Sequence, residues 1–325
     1  MLPLFDDAAV ALSSGFDREG LAKKLAALRE QGIFIGGSSW KYEGWLDQIY
    51  TRSRYTVRGR FSKARFEQDC LAEYAEVFPI VCGDFSFYQF PSDAFWHKLF
   101  SNVPRALQFA FKVPEDVTVK RFPMHPRYGA KAGQDNEAFL NAEVFEAGFL
   151  KPLAPFRDQT AVLIFEFGAF SKSTIEDGEV FLQMLHRFLK RLPKGNIRYA
   201  VEIRNPEFLT PRYLSMLAHH GVAHVYNAWT KMPPLADQVA MPEAHTADFA
   251  VSRALLRHGR PYEEAVASFA PYKTVQDPNP EVRTAIQNLV EYARSKKEKL
   301  YVFVNNRLEG NAPLTIQSIV SDGND

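Results

Sequence analysis

Carboxylates and cations stand at the ends of several apolar runs, and these residue types can carry out proton transfer on an anionic molecule. The run at 198–205 shows the pattern clearly, because Glu202 and Arg204 share it with Val201 and Ile203. Alternation along a strand places the charged pair on one face and the apolar pair on the other. In a strand buried on both faces, such charges must be paired or line a wet cavity. This run is therefore a candidate part of an active site.

Other apolar runs also become polar near their ends. The candidate catalytic residues are Glu202, Glu166 and Asp84, and the first two are the candidates for proton transfer. Burial raises a carboxyl pKa and a neighbouring arginine lowers it, so two carboxylates can be set to different roles. Arginines suit bidentate contacts to phosphate or carboxylate, and aromatic rings stack on a sugar face or a base. The predicted ligand-binding residues are Lys112, Arg204, Arg253, Asn305, Asn306, Arg307, Trp40, Tyr42 and Tyr88.

The expected site holds several cations and few free carboxylates, so we expect it to attract a small anionic ligand. A purely structural pair of Glu202 with Arg204 is the alternative to a catalytic role. An oxygen-rich site for a divalent metal would consist of Asp84, Glu166, Glu202 and His224. No ligand motif of fixed spacing supports that site, and a histidine in mid-strand is more typical of a hydrogen-bonded core residue. No cofactor motif is evident.

Eight short apolar runs, mostly followed by helical patterns, predict the elements that position these residues. Their near-continuous apolar character is typical of parallel strands covered on both faces. Strands alternating with helices over about 290 residues predict an α/β fold, a TIM-like (β/α)8 barrel, whose active face lies at the C-terminal strand ends. An open doubly wound sheet is the alternative, but no Gly-x-Gly-x-x-Gly loop indicates a dinucleotide-binding version. The predicted strands lie at 33–37, 80–88, 107–112, 161–167, 198–205, 222–227, 249–253 and 300–305.

A helical extension at 1–31 is predicted ahead of a single barrel domain at 32–325. Leu21, Leu25 and Leu28 recur at helical spacing, and Asp17 and Gly32 are typical of a helix start and end. The segment after the seventh strand is predicted to be irregular as far as residue 280. The remaining predicted helices lie at 66–78, 91–99, 137–149, 176–192, 210–219, 281–297 and 313–320.

Two long loops, after the first and third strands, are basic and rich in aromatic residues. No acid occurs at 51–65 or at 117–134. Both loops belong to the predicted active face, where they favour contacts with an anionic ligand or a nucleic acid. A solvated surface is the alternative, because runs of charge usually lie in solvent. His125, in the second of these loops, is either catalytic or merely exposed.

Composition limits the class of protein. The 325 residues are 46% hydrophobic with a net charge of +1, which favours a large core and gives no overall attraction to nucleic acid or membrane. Two cysteines, Cys70 and Cys82, are too few for a disulfide framework. No run is long and apolar enough to cross a bilayer, and no signal peptide is evident. A cytoplasmic protein without a membrane partner is expected, and the sequence does not indicate an oligomeric state.

Several motifs, in order along the chain, resemble the DUF72 (YecE-like, TM1631-like) family of TIM-barrel proteins of unknown function. The resemblance covers residues 33–319 and implies a TIM-like barrel, but no reaction. Lys112, Glu202, Arg204, Asn305 and Asn306 match the family pattern without change. The motifs that carry it lie at 35–45, 87–92, 109–114, 200–205 and 304–313.

The chain departs from the family pattern on three strands. Cys82 and Asp84 stand where the family usually has Glu-x-Asn, Glu166 stands where it has Gln, and Asn227 where it has Asp. Carboxylates and amides have thus exchanged positions around the predicted mouth.

These observations lead to three hypotheses of function. The first is an enzyme, of hydrolase or isomerase type, that binds a small anionic, sugar- or phosphate-like ligand at the barrel mouth. The second is a protein that binds or processes nucleic acid with its basic aromatic loops, and its binding should weaken steeply with salt. The third is a ligand-binding protein without catalytic activity.

Overall fold

The structure is a computed structural model that describes residues 15–321. Within these residues eight parallel strands close into a barrel, in the spatial order β1-β8-β7-β6-β5-β4-β3-β2. The TIM-like fold predicted from the sequence is therefore confirmed. The strands are β1 (Ile33–Gly37), β2 (Ile80–Gly83), β3 (Gln108–Lys112), β4 (Thr160–Phe167), β5 (Tyr199–Ile203), β6 (Ala223–Ala228), β7 (Phe249–Ala254) and β8 (Lys299–Val304).

Helices follow the strands and cover the outside of the barrel. None of those within residues 15–321 combines the length and hydropathy that a membrane crossing requires. The longer helices are α1 (Arg18–Glu30), α2 (Lys63–Tyr74), α3 (Asp93–Ser101), α4 (Gly178–Arg191), α5 (Pro211–His220), α6 (Leu235–Ala240), α7 (Tyr262–Phe269), α8 (Pro280–Lys296) and α9 (Ala312–Ser321).

The predicted N-terminal helix is present as α1. Asp17 caps it, since its side chain accepts a hydrogen bond from the Gly20 amide at 2.8 Å. Leu21, Leu25 and Leu28 are buried against the barrel, as their spacing predicts. Residues 1–14 of the predicted extension lie outside the described residues.

The largest errors among the element predictions concern β2, the helix predicted at 137–149, and the segment after the seventh strand. β2 ends at Gly83, and residues 85–87 form a 3-10 turn in which the Phe85 ring packs over the glycine. The predicted helix at 137–149 begins only at residue 142, because the Asn141 side chain caps the chain there. The segment predicted to be irregular contains α7, whose eight residues between prolines are too few to show clear periodicity.

The alternating strand pattern separates two apolar layers. Side chains such as Cys82, Ala110, Ile164 and Phe303 form a cluster inside the barrel, whereas their sequence neighbours pack against the helices. In β5, Ala200 belongs to the inner layer and Val201 and Ile203 to the outer one. Glu202 is fully buried and points inward, so it lies directly above this apolar interior.

Candidate ionic site at the barrel mouth

Six of the predicted site residues meet at the C-terminal end of the barrel. They come from β2, β3, β4, β5 and β7 or the residue next to those strands, so the strand-end rule places them on one rim. All six are joined by contacts of 3.8 Å or less between oppositely charged groups. This ionic cluster consists of Asp84, Lys112, Glu166, Glu202, Arg204 and Arg253.

Arg253 is the central member of the ionic cluster. Glu166 and Glu202 are neighbours across the β4–β5 register, and two like charges side by side are destabilising on their own. Arg253 reaches across the interior from β7, and its Nη1 lies 2.5 Å from Glu166 Oε2 and also donates to Glu202 Oε2. Because the guanidinium is almost fully buried, it offsets both charges in a medium of low dielectric.

The cations hold Glu166 firmly in its charged form. Burial alone would raise the pKa of this carboxyl, but Arg204, Lys112 and Arg253 lower it well below its usual range. Conversely, burial alone would lower the pKa of Arg253, and Glu202 and Glu166 raise it. The ion pairs therefore keep both Glu166 and Arg253 in their charged forms.

Arg204 and Lys112 form the outer layer of cations, and each lies over an aromatic ring. Arg204 donates to Glu202 Oε1 at 3.2 Å, contacts Glu166 at 3.0 Å, and stacks 3.6 Å from the centre of Trp229. Lys112 Nζ lies 3.0 Å from Glu166 Oε2 and 3.8 Å from the centre of the Phe87 ring. These stacks hold both cations at the mouth, where the Arg204 side chain is 14% exposed and that of Lys112 is 8% exposed.

Asp84 is the carboxylate of the ionic cluster that reaches solvent. Its side chain is 37% exposed, whereas those of Glu166 and Glu202 are nearly or fully buried. Its Oδ1 lies 3.8 Å from Lys112 Nζ and 3.6 Å from Arg253 Nη2, beyond hydrogen-bond distance, and has no hydrogen-bond partner among the described residues. Because Oδ1 is itself buried, a ligand can meet only the exposed remainder of the Asp84 side chain.

The expected excess of cations over carboxylates is not present at the centre of the mouth. Three carboxylates face three cations in the ionic cluster, so the formal charges balance. The buried cations cannot stay in the barrel without such partners, because an unpaired buried charge is too costly. Attraction of an anion must therefore come from the donors at the rim rather than from a net positive interior.

The two predicted asparagines form contacts within the protein. Asn305 caps the turn that follows β8 by accepting from the Arg307 amide at 2.9 Å, and it donates to Ser38 Oγ at 2.6 Å. Asn306 Oδ1 accepts from Trp45 Nε1 at 3.1 Å, while its Nδ2 is buried without a partner in the described part of the chain. Both amides thus join the end of β8 to the loop after β1.

The predicted aromatic residues and Arg307 lie around the rim. Trp40 is buried, with its ring edge-on to Phe85. Tyr42 is half-buried; burial raises its pKa, and the charges of Arg307 and Asp84 both act on its hydroxyl. Arg307 lies 4.6 Å above the ring of Tyr262. Tyr88 is 54% exposed beneath the guanidinium of Arg127 at 4.8 Å, away from the ionic cluster.

The structure does not join His224 to the three carboxylates. His224 faces the helix layer, where its Nδ1 lies 3.4 Å from the hydroxyl of Tyr213. Within residues 15–321, no group of three or more His, Cys, Asp or Glu side chains is arranged to hold a metal ion. Cys82 is buried inside the barrel, and burial raises the pKa of its thiol to about 12.

Burial of His224 predicts a pH-dependent loss of stability. Burial lowers its pKa to about 4, so between pH 4 and 6.5 the unfolded chain binds more protons than the native one. Stability contributed by neutral His224 is therefore present above pH 6.5 and falls as the pH drops. From pH 7 to pH 5, the wild type should lose about 2 kcal/mol more free energy of unfolding than His224→Gln in urea titrations. The exposed His219→Gln should behave like the wild type; a parallel loss in His224→Gln would contradict the prediction.

The cations of the two basic loops are mostly engaged by acids that lie just outside the acid-free segments. Arg54 pairs with Glu76 at 2.5 Å and Arg121 pairs with Asp135 at 2.6 Å. Five further loop pairs are Arg52–Asp47, Lys63–Glu67, Arg65–Asp69, Arg127–Glu115 and Lys131–Asp116. The structure thus reduces the positive charge that the sequence suggested for these loops.

Sequence reasoning missed the two rings that hold the outer cations. Trp229 lies two residues beyond Asn227, close enough to the end of β6 to count as a mouth residue. Phe87 follows β2 in a turn that was predicted as strand. Position after a strand end was the available signal in both cases. Asn227 itself is buried, donates to the Ile203 carbonyl at 3.0 Å, and leaves its Oδ1 without a partner among described residues.

The fold and the ionic cluster define a (β/α)8 barrel protein with six paired charged side chains at its mouth. The chain belongs to the family described as "Protein of unknown function DUF72", whose model matches residues 34–324. None of the curated proteins matches it.

Two solved structures of DUF72 family proteins are similar to this chain. One, TM1631 from Thermotoga maritima, is 20% identical with a TM-score of 0.57, over 88% of this chain and 97% of that one. The other, EF0366 from Enterococcus faecalis, is 19% identical with a TM-score of 0.54, over 89% of this chain and 95% of that one. At these identities the likeness concerns the fold alone.

Proposed function

We propose that the protein is an enzyme, of hydrolase or isomerase type, that transfers a proton to or from a small anionic, sugar- or phosphate-like ligand at the barrel mouth. The observation that carries the proposal is the position of Asp84. Its side chain is 37% exposed, while its buried Oδ1 faces Lys112 Nζ at 3.8 Å and Arg253 Nη2 at 3.6 Å. General acid–base catalysis needs such a group within hydrogen-bond reach of the ligand.

Donors on the outer cations support an anionic ligand. Lys112 has one close ionic contact, to Glu166, although its ammonium carries three donors. None of the hydrogen bonds among the described residues uses Arg204 Nη1. Arg307 lies on the same rim and forms no ion pair within residues 15–321. A phosphate or carboxylate placed over Asp84 would meet donors from all three.

The geometry favours other roles for the three carboxylates than those that the sequence suggested. Both oxygens of Glu202 are bound by guanidinium groups, and the side chain is fully buried. Glu166 Oε2 is likewise engaged by three cations. In this proposal both glutamates are positioning residues that hold Arg204, Arg253 and Lys112, and Asp84 is the acid or base.

Nucleic-acid binding gains less support, because acids pair with seven of the loop cations. A salt titration against single- and double-stranded oligonucleotides tests it directly. Affinity that is strong at low salt and falls steeply with salt would favour that function over the one proposed here.

A thermal-shift screen of inorganic phosphate, sugar phosphates and small carboxylates tests the proposal. A ligand of the native state at 100 times its Kd should stabilise the protein by about 2.7 kcal/mol and raise its Tm. Arg204→Gln should weaken or abolish that shift, because it removes a rim donor. Arg121→Gln removes a paired cation from an outer loop and should leave the shift unchanged. Absence of any stabilising anion, or equal shifts in both variants, would count against the proposal.

A further inference from the structure

A cleft of about 560 Å³ opens beside the ionic cluster, between α2 and α3. Its volume lies within the range of about 300–1,000 Å³ that small-molecule sites occupy. The loop after β1 closes one side, and Asp84 and Phe85 form the inner end. The cleft therefore leads from the outer surface to the carboxylate that the proposed function uses.

The walls of the cleft are largely apolar and aromatic. Trp40 and Phe85 meet edge-on with ring centres 5.9 Å apart, and Phe85 and Phe95 lie 5.0 Å apart. Leu99 and Val103 extend this wall along α3 and are only partly buried. Phe95 is 38% exposed, so a large ring faces water beside an open cleft. Such a surface gains free energy when an apolar group covers it.

The charges at the rim favour a negative group on the occupant. Lys41 and Lys98 line the cleft, and neither forms an ion pair within residues 15–321. Glu67 also lines it, but this side chain lies 3.9 Å from Lys63 on the same helix. Two lysines without ionic partners therefore face the cleft, against two acids that already have cations nearby, Glu67 beside Lys63 and Asp84 beside Lys112 and Arg253.

We infer that this cleft is a specificity subsite that binds an aryl group carrying a negative charge. The aryl group would lie between α2 and α3, with its charge near Lys41 and Lys98. The polar part of the same molecule would reach Asp84. The inference rests on the proposed function for the reaction, but binding in the cleft can be measured without it. The substrate would then be an aryl conjugate of the anionic ligand that binds at the mouth.

The fluorescent probe 8-anilinonaphthalene-1-sulfonate has this chemistry and tests the inference on the full chain. We expect one saturable site in the native protein. Ala64→Trp, at an exposed position of α2 that lines the cleft, should fill it and weaken binding by about tenfold or more. Lys98→Ala should weaken binding severalfold by removing a rim charge.

Ala27→Trp is the matched control. Ala27 is also an exposed helical alanine, but it lines a separate cavity of about 370 Å³ between α1, α8 and α9. Probe affinity should be unchanged in this variant. Equal affinity in Ala64→Trp and the wild type, or equal losses in both tryptophan variants, would overturn the inference.

Asp84→Asn separates this inference from the proposed function. This variant should bind the probe at least as tightly as the wild type, because the apolar walls remain and a negative charge at the inner end of the cleft is removed. If the probe fails to bind in the cleft while Arg204→Gln still abolishes stabilisation by an anion, the subsite is excluded and the mouth site stands. If the probe binds as expected but no anion stabilises the protein, the mouth site is excluded instead.

Discussion

Replacing Arg253 by methionine is expected to lower the free energy of unfolding by about 3–5 kcal/mol, as removal of one partner of a buried ion pair does. The guanidinium is almost fully buried and contacts both Glu166 and Glu202. Its loss would leave two neighbouring carboxylates inside the barrel with fewer cations. Methionine keeps much of the volume, so the effect would come from charge rather than from a cavity. Urea unfolding at pH 7 measures it.

Arg212→Met is the matched control for this prediction. Arg212 pairs with Glu179 at 2.5 Å, but both side chains are mostly exposed. Loss of an exposed pair should cost less than about 1 kcal/mol. The double variant Glu202→Gln with Arg253→Met should lose less than the sum of the two single losses, because a neutral amide at position 202 no longer needs the missing cation. Similar losses for Arg253→Met and Arg212→Met would show that the ionic cluster is not the costly element described here.

The barrel could be predicted from the sequence because its signal is repeated eight times. Each apolar run supports the same architecture, so an error in one bound does not alter the fold. Such an error occurred at β2, where an apolar run continues through residues 85–87 although the strand stops at Gly83. A ring that packs back over a glycine is a tertiary contact, and strand propensity does not record it.

The membership of the ionic cluster was also predictable, but its pairing was not. Alternation fixed that Glu202 faces inward, and the strand-end rule put Lys112 and Arg253 on the same rim. Which oxygen each cation reaches depends on long side chains that cross the barrel interior. Sequence spacing carries no such information, and so the contrast between buried Glu202 and solvent-reaching Asp84 emerged only from the structure.

The charge of the two basic loops was also mispredicted, because sequence spacing does not show which side chains pair. The acid-free segments at 51–65 and 117–134 suggested unpaired cations, yet acids outside these segments fold back to pair with them. Arg54, for example, reaches Glu76 on the far side of α2. The cleft beside α2 and α3 was missed for a related reason, because the space between two helices is set by their packing angle and not by either helix alone.

The layered arrangement of the mouth suggests why buried charges are kept despite their cost. Glu166 and Glu202 hold Arg204, Arg253 and Lys112 in fixed positions, and two of these cations, Arg253 and Lys112, lie beside Asp84. Donors held in place before a ligand binds need no reorganisation when charge develops on it. In the proposed function, the buried glutamates therefore provide rigidity, and the cations that they hold provide the donors for the ligand.

Replacing Asp84 by asparagine is therefore expected to lower kcat by about 10²- to 10⁴-fold, the usual contribution of a general acid or base. Asparagine has nearly the same shape, so ligand binding should change much less than turnover. Stability should change by no more than about 0.5 kcal/mol, because the side chain is partly exposed and its ionic contacts are 3.6 Å or longer. Steady-state kinetics on a ligand identified by thermal shift, with urea unfolding of the same samples, measures all three quantities.

Two further variants decide which carboxylate transfers the proton. Asp135→Asn removes an exposed loop carboxylate that pairs with Arg121 and should leave kcat unchanged. Glu202→Gln should destabilise the protein and raise KM, because it releases Arg204 and Arg253 from their fixed positions. Full turnover in Asp84→Asn, together with loss of turnover in a folded Glu202→Gln, would assign proton transfer to Glu202 as the sequence suggested. The opposite result would make Glu202 a positioning residue and Asp84 the group that meets the substrate.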